Sequence, residues 1–352
     1  MRFLVTGGCG FIGANLVRYL VGKEHQILNL DALTYAGNHN SLDDLEKNPL
    51  YEFQRVDICD SQSVSRALSA YEPEAVLHLA AESHVDRSID GPAQFIQTNI
   101  VGTFNLLHAS NQYRKSLSSD RAKLFRFLHV STDEVFGSLG PTGLFSESTP
   151  YDPHSPYSAS KAASDHLVRA WWHTYRLPIL ITNCSNNYGP YQFPEKLIPV
   201  VILKCLRQEP IPVYGKGENV RDWLYVLDHC KAIETVALNG TLGQTYTVGG
   251  NNEMKNIDLV LLLCRIMDAL KPRQGGRLYE ELITYVTDRP GHDMRYAIDA
   301  SKLKRELGWE PDQDHKALFT QTVQWYLDNE SWWQSILSGQ YKLERQGLSK
   351  TL

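Results

Sequence analysis

Two adjacent carboxylates, Asp133 and Glu134, follow a short apolar segment, residues 127–130, that has the composition of a buried strand. Thr132 precedes them, so a hydroxyl and two acids would share one strand end. Two carboxyl groups with separated pKa values can donate one proton and remove another from the same small molecule. The segment therefore predicts acid–base chemistry that includes an elimination. The alternative is that both acids merely cap the following helix.

Tyr157 and Lys161 lie four residues apart, so on a helix they share a face. A free tyrosine has a pKa of about 10, which is too high for a base at neutral pH. A neighbouring ammonium group favours the phenolate. The same spacing also arises by chance, but the Ser/Thr strand end upstream makes a functional pair the stronger interpretation. We expect Tyr157 to be the base in an alcohol oxidation.

Residues 7–13 contain three glycines with the spacing G-x-x-G-x-x-G, between a predicted strand and a predicted helix. Such a loop lets the backbone approach a pyrophosphate, and the helix N-terminus offers it free N–H groups. Asp31 closes the second predicted strand, where it would bind ribose hydroxyls and repel a 2′-phosphate. The pattern predicts NAD rather than NADP. A glycine turn beside a solvated acid is the alternative.

Apolar strands and amphipathic helices alternate through the N-terminal half of the chain. This pattern predicts an α/β fold with a doubly wound parallel sheet of the Rossmann type. We expect residues 1–187 to form an NAD-binding domain with the catalytic residues, and 188–352 a smaller α/β substrate domain, some segments of which return to the Rossmann sheet. The predicted strands are 3–5, 27–30, 51–56, 75–79, 126–131 and 180–183, and the helices are 11–21, 93–113 and 157–175.

Composition excludes several classes of protein. The 352 residues have a net charge of −5 and no basic run, so nucleic acid is not an expected partner. The six cysteines are scattered without a C-x-x-C pair, which predicts buried free thiols and neither a metal site nor disulfides. No apolar stretch approaches the ~18 residues of a membrane span. We expect a cytoplasmic protein with no signal peptide.

Longer motifs give a family resemblance that covers nearly the whole chain. The chain resembles the extended short-chain dehydrogenase/reductase superfamily, and within it the dTDP-glucose 4,6-dehydratase family. The resemblance implies conversion of dTDP-glucose to dTDP-4-dehydro-6-deoxy-glucose and water, with NAD recycled in each turnover. The motifs, beside those already described, are residues 80–88, 183–191, 221–226 and 288–293.

The resemblance also implies a role for each catalytic residue. Tyr157 would take the 4-hydroxyl proton, Lys161 would hold the nicotinamide ribose, and Thr132 would hydrogen-bond the same sugar oxygen. Glu134 would remove the C5 proton, and protonated Asp133 would donate to the departing 6-hydroxyl. Hydride would move from C4 to the cofactor and back to C6.

The implied binding residues fall into two sets. For the cofactor they are Gly7, Gly10, Phe11, Ile12, Gly13, Asp31, Ala32, Leu33, Thr34, Asp57, Ile58, Leu79, Ala80, Ala81, Glu82, Ser83, Thr98, Tyr157, Lys161 and Asn187. For the nucleotide-sugar they are Ser83, Thr132, Asn186, Lys196, Leu197, Pro212, Val213, Tyr214, Arg221, Asn256, Asp288, Arg289, Pro290, Gly291 and His292.

The superfamily pairs two helices across a two-fold axis, which implies a homodimer built on a four-helix bundle. Here those helices would be the predicted ones at 94–113 and 157–175. They carry apolar residues beyond the need of the sheet: Phe104, Leu107, Leu167, Trp171 and Trp172.

Other functions stay open at this point. A nucleotide-sugar 4-epimerase would use Tyr157, Lys161 and NAD but would not need Asp133 and Glu134. A UDP-glucose 4,6-dehydratase differs only in the base, and a decarboxylase would act on a nucleotide-linked uronic acid. A non-catalytic NAD-binding scaffold belongs to a different class, and it predicts loss of catalytic residues that are all present.

Overall fold

The computed structural model describes residues 1–288 and 292–338. In chain order the strands are β1 Arg2–Thr6, β2 Gln26–Asp31, β3 Tyr51–Arg55, β4 Ala75–His78, β5 Arg126–Thr132, β6 Ile179–Cys184, β7 Asn186–Tyr188, β8 Ile211–Tyr214, β9 Val220–Tyr225, β10 Thr245–Val248, β11 Glu253–Lys255 and β12 Ile283–Val286. The α-helices are α1 Phe11–Gly22, α2 Ser61–Tyr71, α3 Val85–Asp90, α4 Pro92–Phe95, α5 Thr103–Ser116, α6 Ser119–Leu124, α7 Pro156–Tyr175, α8 Leu197–Arg207, α9 Val226–Asn239, α10 Asn256–Leu270, α11 Ser301–Leu307, α12 His315–Asp328 and α13 Glu330–Leu337. Shorter 3₁₀ segments are His39–Leu45, Asp133–Phe136, Gln274–Gly276 and Tyr279–Leu282, and Ile96–Gly102 is π-helical.

A parallel sheet of seven strands forms the centre of the molecule, in the order β10-β6-β5-β4-β1-β2-β3. The strand order reverses between β1 and β4, and β1 pairs along Phe3 and Leu4 with β2 on one side and with β4 on the other. In open α/β sheets ligands bind at the carboxyl edge beside such a reversal. The predicted doubly wound α/β fold is confirmed.

Successive side chains along each strand point to opposite faces of the sheet. Phe3 and Val5 of β1 pack in one core with α1 and α9, while Leu4 packs in another with α2, α5 and α7. All three side chains are fully buried. Full burial of a side chain of this size stabilises the fold by roughly 1.5–3 kcal/mol. The sequences of the strands are therefore continuous apolar runs, because helices cover both faces of the sheet.

The edge strand β10 comes from the C-terminal half of the chain. It pairs in parallel with β6, Thr245 opposite Ile181 and Val248 opposite Cys184. Its four residues are buried, and α9, which precedes it, packs on α1. Part of the range 188–352 thus completes the sheet that begins at the N-terminus.

A second core lies in the C-terminal half, among α8, α10 and α12. Tyr188 and Phe319 stack at its centre with their ring centroids 4.2 Å apart. Two small sheets join this half, β11-β9-β7 and β12-β8. Within 1–288 and 292–338, no helix is both long enough and apolar enough to cross a membrane.

The predicted helix at 93–113 is interrupted by the π-helical segment between α4 and α5. Such segments hold an extra residue per turn and are frequent at functional sites. Phe104 is 43% exposed, but Leu107 and Trp171 are buried within the same chain. Both pack in the core that α5 shares with α2 and α7, so their apolar character has an explanation within one chain, and the dimer itself stays a prediction.

Candidate active site

A deep cleft opens at the carboxyl edge of the sheet, where the strand order reverses. Its volume is about 1660 Å³ when the solvent at its mouth is included. The structure brings to this cleft all five predicted catalytic residues, Thr132, Asp133, Glu134, Tyr157 and Lys161. It also brings there the predicted cofactor residues Gly7, Gly10, Phe11, Ile12, Gly13, Asp31, Ala32, Thr34, Asp57, Ile58, Leu79, Ala80, Ala81, Glu82, Ser83, Thr98 and Asn187.

The glycine loop is a cradle with no room for side chains. A Cβ on Gly13 would lie 2.1 Å from the carbonyl oxygen of Gly7, and one on Gly7 (φ +76°) would lie 2.7 Å from the backbone nitrogen of Ala80. Gly10 is the N-cap of α1 and offers no side chain to the N–H groups of the first turn. Those N–H groups can bind an anion. The cradle fits the pyrophosphate of a dinucleotide.

Asp31 ends β2 beside this loop. Its carboxylate accepts the backbone N–H of Cys9 at 2.9 Å and that of Leu33 at 2.8 Å, so it also fixes the shape of the loop. Burial raises the pKa of Asp31 above its ordinary value, against the effect of those two hydrogen bonds. Leu33, predicted to contact the cofactor, does not line the cleft; its side chain packs on the core beside α1.

Asn99, in the π-helical segment, was missed by the sequence analysis. Its side chain accepts the backbone N–H of Glu82 at 2.8 Å and donates to the carbonyl of Glu82 at 3.0 Å and to Ser160 at 2.8 Å. Asn99 therefore ties the loop after β4 to helix α7. An asparagine inside a helical pattern gives little signal by itself, because its partners are distant in sequence.

The two acids lie in the 3₁₀ turn that follows β5. The Thr132 hydroxyl accepts the N–H of Glu134 at 3.2 Å and caps this turn. Asp133 is 1% exposed, and its Oδ2 has no hydrogen-bond partner among the residues described. Burial raises the pKa of Asp133 well above its ordinary value, and the neighbouring Glu134 and Asp222 raise it further. Burial and these two carboxylates therefore favour the protonated form of Asp133.

Tyr157 and Lys161 stand on the first two turns of α7. The helix begins there because Ser155 caps it, accepting the N–H of Ser158 at 3.0 Å, and because Pro156 suits the first helical position. Burial, then Glu134, raises the pKa of Tyr157 well above its ordinary value. Burial lowers the pKa of Lys161. A base role for Tyr157 therefore needs positive charge close by.

The predicted substrate residues occupy two places. Ser83, Thr132, Asn186 and Lys196 line the cleft. The other described members, which do not line it, are Leu197 at the start of α8, Pro212, Val213 and Tyr214 on β8, Arg221 on β9, Asn256 at the start of α10, and Asp288 and His292. Arg289, Pro290 and Gly291 lie outside the described residues.

Several members of the second group contact one another. His292 Nδ1 lies 2.6 Å from Asp288 Oδ1, and the ring centroids of His292 and Tyr214 are 6.3 Å apart. Arg221 is buried, donates to the carbonyl of Asp293 at 2.9 Å and packs over the Tyr296 ring at 4.2 Å. Its charge also lowers the pKa of Asp133, against the dominant effect of burial. Arg221 thus connects this group to the acid pair.

Other cleft residues were not predicted, among them Cys184, Ser185, Gln192, Phe193 and Glu195. They flank or follow β6 and β7, in a turn-rich stretch whose path the local sequence does not fix.

The comparisons with known proteins agree with this geometry. The family model described as GDP-mannose 4,6 dehydratase matches residues 4–322. A dTDP-glucose 4,6-dehydratase from Xanthomonas campestris pv. campestris is 61% identical over 98% of each chain. The chain belongs to the dTDP-glucose 4,6-dehydratase family. The family resemblance read from the sequence is confirmed.

Solved structures show how far the fold alone discriminates. The dTDP-glucose 4,6-dehydratase of Streptomyces venezuelae, crystallised with NAD bound, has a TM-score of 0.87 at 42% identity, covering 96% of this chain and 100% of that one. The UDP-glucose 4-epimerase of Thermotoga maritima has a TM-score of 0.83 at 27% identity, covering 94% and 100%. Dehydratases and epimerases share the fold, so their separation must rest on residues.

Proposed function

We propose that this protein is an NAD-dependent hydro-lyase that converts dTDP-glucose to dTDP-4-dehydro-6-deoxy-glucose and water. The observation that supports it best is the acid pair, of which Asp133 is buried and Glu134 is partly buried. Asp133 and Glu134 lie in the same cleft as Tyr157 and Lys161, with the pKa of Asp133 raised by burial. An epimerase that only oxidises and reduces C4 has no use for two further acids.

The cleft suits NAD at its glycine end. The N–H groups at the start of α1 would bind the pyrophosphate, and Asp31 would accept hydrogen bonds from the adenosine ribose. NAD, when bound, supplies the acceptor that takes a hydride from C4 of the sugar and returns it to C6.

Oxidation at C4 depends on three side chains. Tyr157 removes the proton of the 4-hydroxyl, and Thr132 hydrogen-bonds the same oxygen. Lys161 and the positive nicotinamide ring lower the cost of the phenolate, which burial would otherwise make prohibitive. The resulting C4 ketone makes the C5 proton acidic.

Water elimination depends on the acid pair. Glu134 removes the C5 proton as a base, and protonated Asp133 donates its proton to the departing 6-hydroxyl. The raised pKa of Asp133 supports this division of roles, because one acid must be neutral while the other is ionised. Glu134 then returns its proton to C5. The sugar loses one water, and the redox state of the cofactor is unchanged. The starting state returns when Tyr157 releases the proton of the 4-hydroxyl and Asp133 takes up a proton in its place.

Nucleotide binding falls to residues from the second half of the chain. Lys196 and Asn186 line the cleft on the substrate side. Arg221, with Asn256 and His292, would contact the diphosphate end, because guanidinium, amide and imidazole groups all bind phosphate oxygens. We therefore propose that residues 188–352 bind mainly the nucleotide-sugar. The cytoplasmic location stays a prediction.

We also propose a homodimer, formed through α5 and α7. Phe104 on α5 is 43% exposed and packs edge-to-face on Trp171 of α7. Ile96 and Val101 on the preceding π-helical segment and Tyr175 at the end of α7 are exposed as well. A surface of large apolar groups on two adjacent helices suits an isologous interface.

Incubation of the purified protein with dTDP-glucose, first without added cofactor and then with NAD+, tests the proposal. A product lighter by one water, without net accumulation of NADH, is the expected result. A sugar nucleotide of unchanged mass with a galactose configuration would favour the epimerase and remove the assigned roles of Asp133 and Glu134. Faster turnover of UDP-glucose than of dTDP-glucose would show that the preferred nucleotide carries uracil and not thymine.

A further inference from the structure

One buried carboxylate near the catalytic helix has no part in the chemistry above. Asp165 lies one turn beyond Lys161 on α7 and is 0% exposed. Burial of an ionised carboxylate is costly unless its oxygens are hydrogen-bonded or paired with a cation. The contacts of Asp165 therefore show what it can do.

Polar partners surround the Asp165 carboxylate from several elements. Its Oδ2 accepts hydrogen bonds from Tyr151 at 2.7 Å, Ser131 at 2.9 Å and Asn183 at 3.2 Å. Its Oδ1 lies 3.2 Å from Nε2 of His129. Burial alone would raise the pKa of Asp165, but these partners and nearby positive charge lower it below its ordinary value. Asp165 is an anion at neutral pH.

Lys161 differs from Asp165, because among the described residues no counter-ion contacts its buried ammonium group. The side chain is 4% exposed, and Nζ donates to the carbonyl of Val130 at 2.9 Å. Nζ also lies 3.5 Å from Nε2 of His129, so this ring stands between Lys161 and Asp165. Within 1–288 and 292–338, Lys161 forms no ion pair. Burial lowers its pKa, and Asp165 is the charge that opposes this most.

The other titratable groups that face Lys161 bring no negative charge at neutral pH. On β5, burial and Lys161 lower the pKa of His129 to about 4, and on β4 burial lowers the pKa of His78 well below its ordinary value. On β6, burial raises the pKa of the Cys184 thiol to about 12. On α7, burial keeps Tyr157 neutral, and the cation Arg169 reaches Asp165 only through the Tyr151 hydroxyl, to which it donates at 2.7 Å.

We propose that Asp165 is a positioning residue for the oxidation step: its negative charge, acting across the His129 ring, keeps Lys161 protonated, and its hydrogen bonds from Ser131 and Asn183 fix α7 against the ends of β5 and β6. Lys161 then stays a cation one helical turn from Tyr157 in the same cleft. The kinetic consequence rests on the proposed function, whereas the charge of Lys161 can be measured without any turnover.

The first experiment measures that charge. The protein is labelled with [ε-13C]lysine, the Lys161 signal is assigned by its loss in K161R, and the signal is titrated in the wild type and in D165N. We expect the Lys161 midpoint to fall by roughly 1–3 pH units in D165N, the range typical for loss of a nearby opposite charge. D165E should restore most of the shift, because it keeps the charge.

Two further variants make the result specific. D165S removes the same charge with a smaller side chain and should lower the midpoint by a similar amount; it carries the test if D165N does not fold. D228N removes another buried carboxylate, which accepts hydrogen bonds from Lys231 and the N–H of Asp312 and does not line the cleft, and it should leave the midpoint unchanged. A Lys161 midpoint unaltered in whichever of D165N and D165S folds would overturn the proposal.

The second experiment measures the oxidation step alone. Enzyme-bound NADH formed in a single turnover of dTDP-glucose is followed across pH, because this step precedes any use of Asp133. The alkaline limit of this step should move to lower pH in D165N and return towards the wild-type value in D165E. An alkaline limit that stays in place in D165N would refute the positioning role. A wild type that forms no NADH would refute the proposed function, and the lysine titration would still decide the role of Asp165.

Discussion

Replacing Asp133 with asparagine separates the elimination from the oxidation. Asn has nearly the same shape, so the buried site keeps its packing, but it has no proton to donate to the 6-hydroxyl. Loss of a general acid slows a reaction by roughly 10²–10⁴-fold, which corresponds to about 2.7–5.5 kcal/mol in the activation barrier. We expect kcat for water loss to fall within this range, while oxidation at C4 proceeds.

D133N should also lower folding stability, and the structure limits the size of that effect. Oδ2 of Asp133 has no partner among the residues described, so an amide placed there leaves a donor unpaired and costs about 1–3 kcal/mol of folding stability. Thermal unfolding measures that cost independently of the rate. D152N is the matched control, because the Asp152 side chain is 79% exposed, and it should retain wild-type activity.

The assay combines absorbance of bound NADH in a single turnover with the mass of the sugar nucleotide. D133N should form NADH at close to the wild-type rate and then hold it, since the next step is blocked. Water loss in the wild type should slow as pH rises through the raised pKa of Asp133, because the acid is lost there, and D133N should lack this limit. If D133N loses NADH formation and water loss equally, Asp133 is not the elimination acid.

Three further changes test other parts of the site. G13A should abolish NAD binding, measured by calorimetry, because its Cβ would lie 2.1 Å from the Gly7 carbonyl oxygen; retained affinity would mean that the loop can move. D31A should narrow the preference for NAD over NADP and lower stability by roughly 1–3 kcal/mol, because the N–H of Cys9 loses its acceptor; an unchanged cofactor ratio in steady-state kinetics would contradict the ribose role. F104E should convert a dimer to monomers in light scattering, since it places a charge in the proposed interface, and a dimer that persists would move the interface elsewhere.

The sequence was most informative where chemistry and local structure coincide. Asp31 and Thr132 end predicted strands, and parallel strands end at one edge, so their convergence with the glycine loop follows from the fold class alone. Tyr157 and Lys161 follow from helical spacing. Asp165 follows Lys161 by one more turn on the same helix face, so helical spacing could also have identified it.

Features that depend on long-range packing were not predictable in the same way. Asn99 acts through Glu82 and Ser160, and nothing near it in the sequence names those partners. Arg221 has the residue type of a phosphate clamp, but the sequence does not show that it is buried and donates to the carbonyls of Val220 and Asp293. Leu107 and Trp171 pack in the core of a single chain. Hydrophobic periodicity cannot distinguish such core residues from residues at an interface.

The return of β10 to the edge of the central sheet has a consequence for biosynthesis. Until residue 248 has left the ribosome, β6 ends the sheet with an open edge and α1 lacks the cover of α9. At typical elongation rates of about 5–20 residues per second, the roughly 60 residues after β7 take about 3–12 s to add. During that interval the nascent chain exposes an apolar strand edge, which is a template for misassociation. Chaperone dependence should therefore be greatest for chains arrested between β7 and β10, and should fall once β10 has been made.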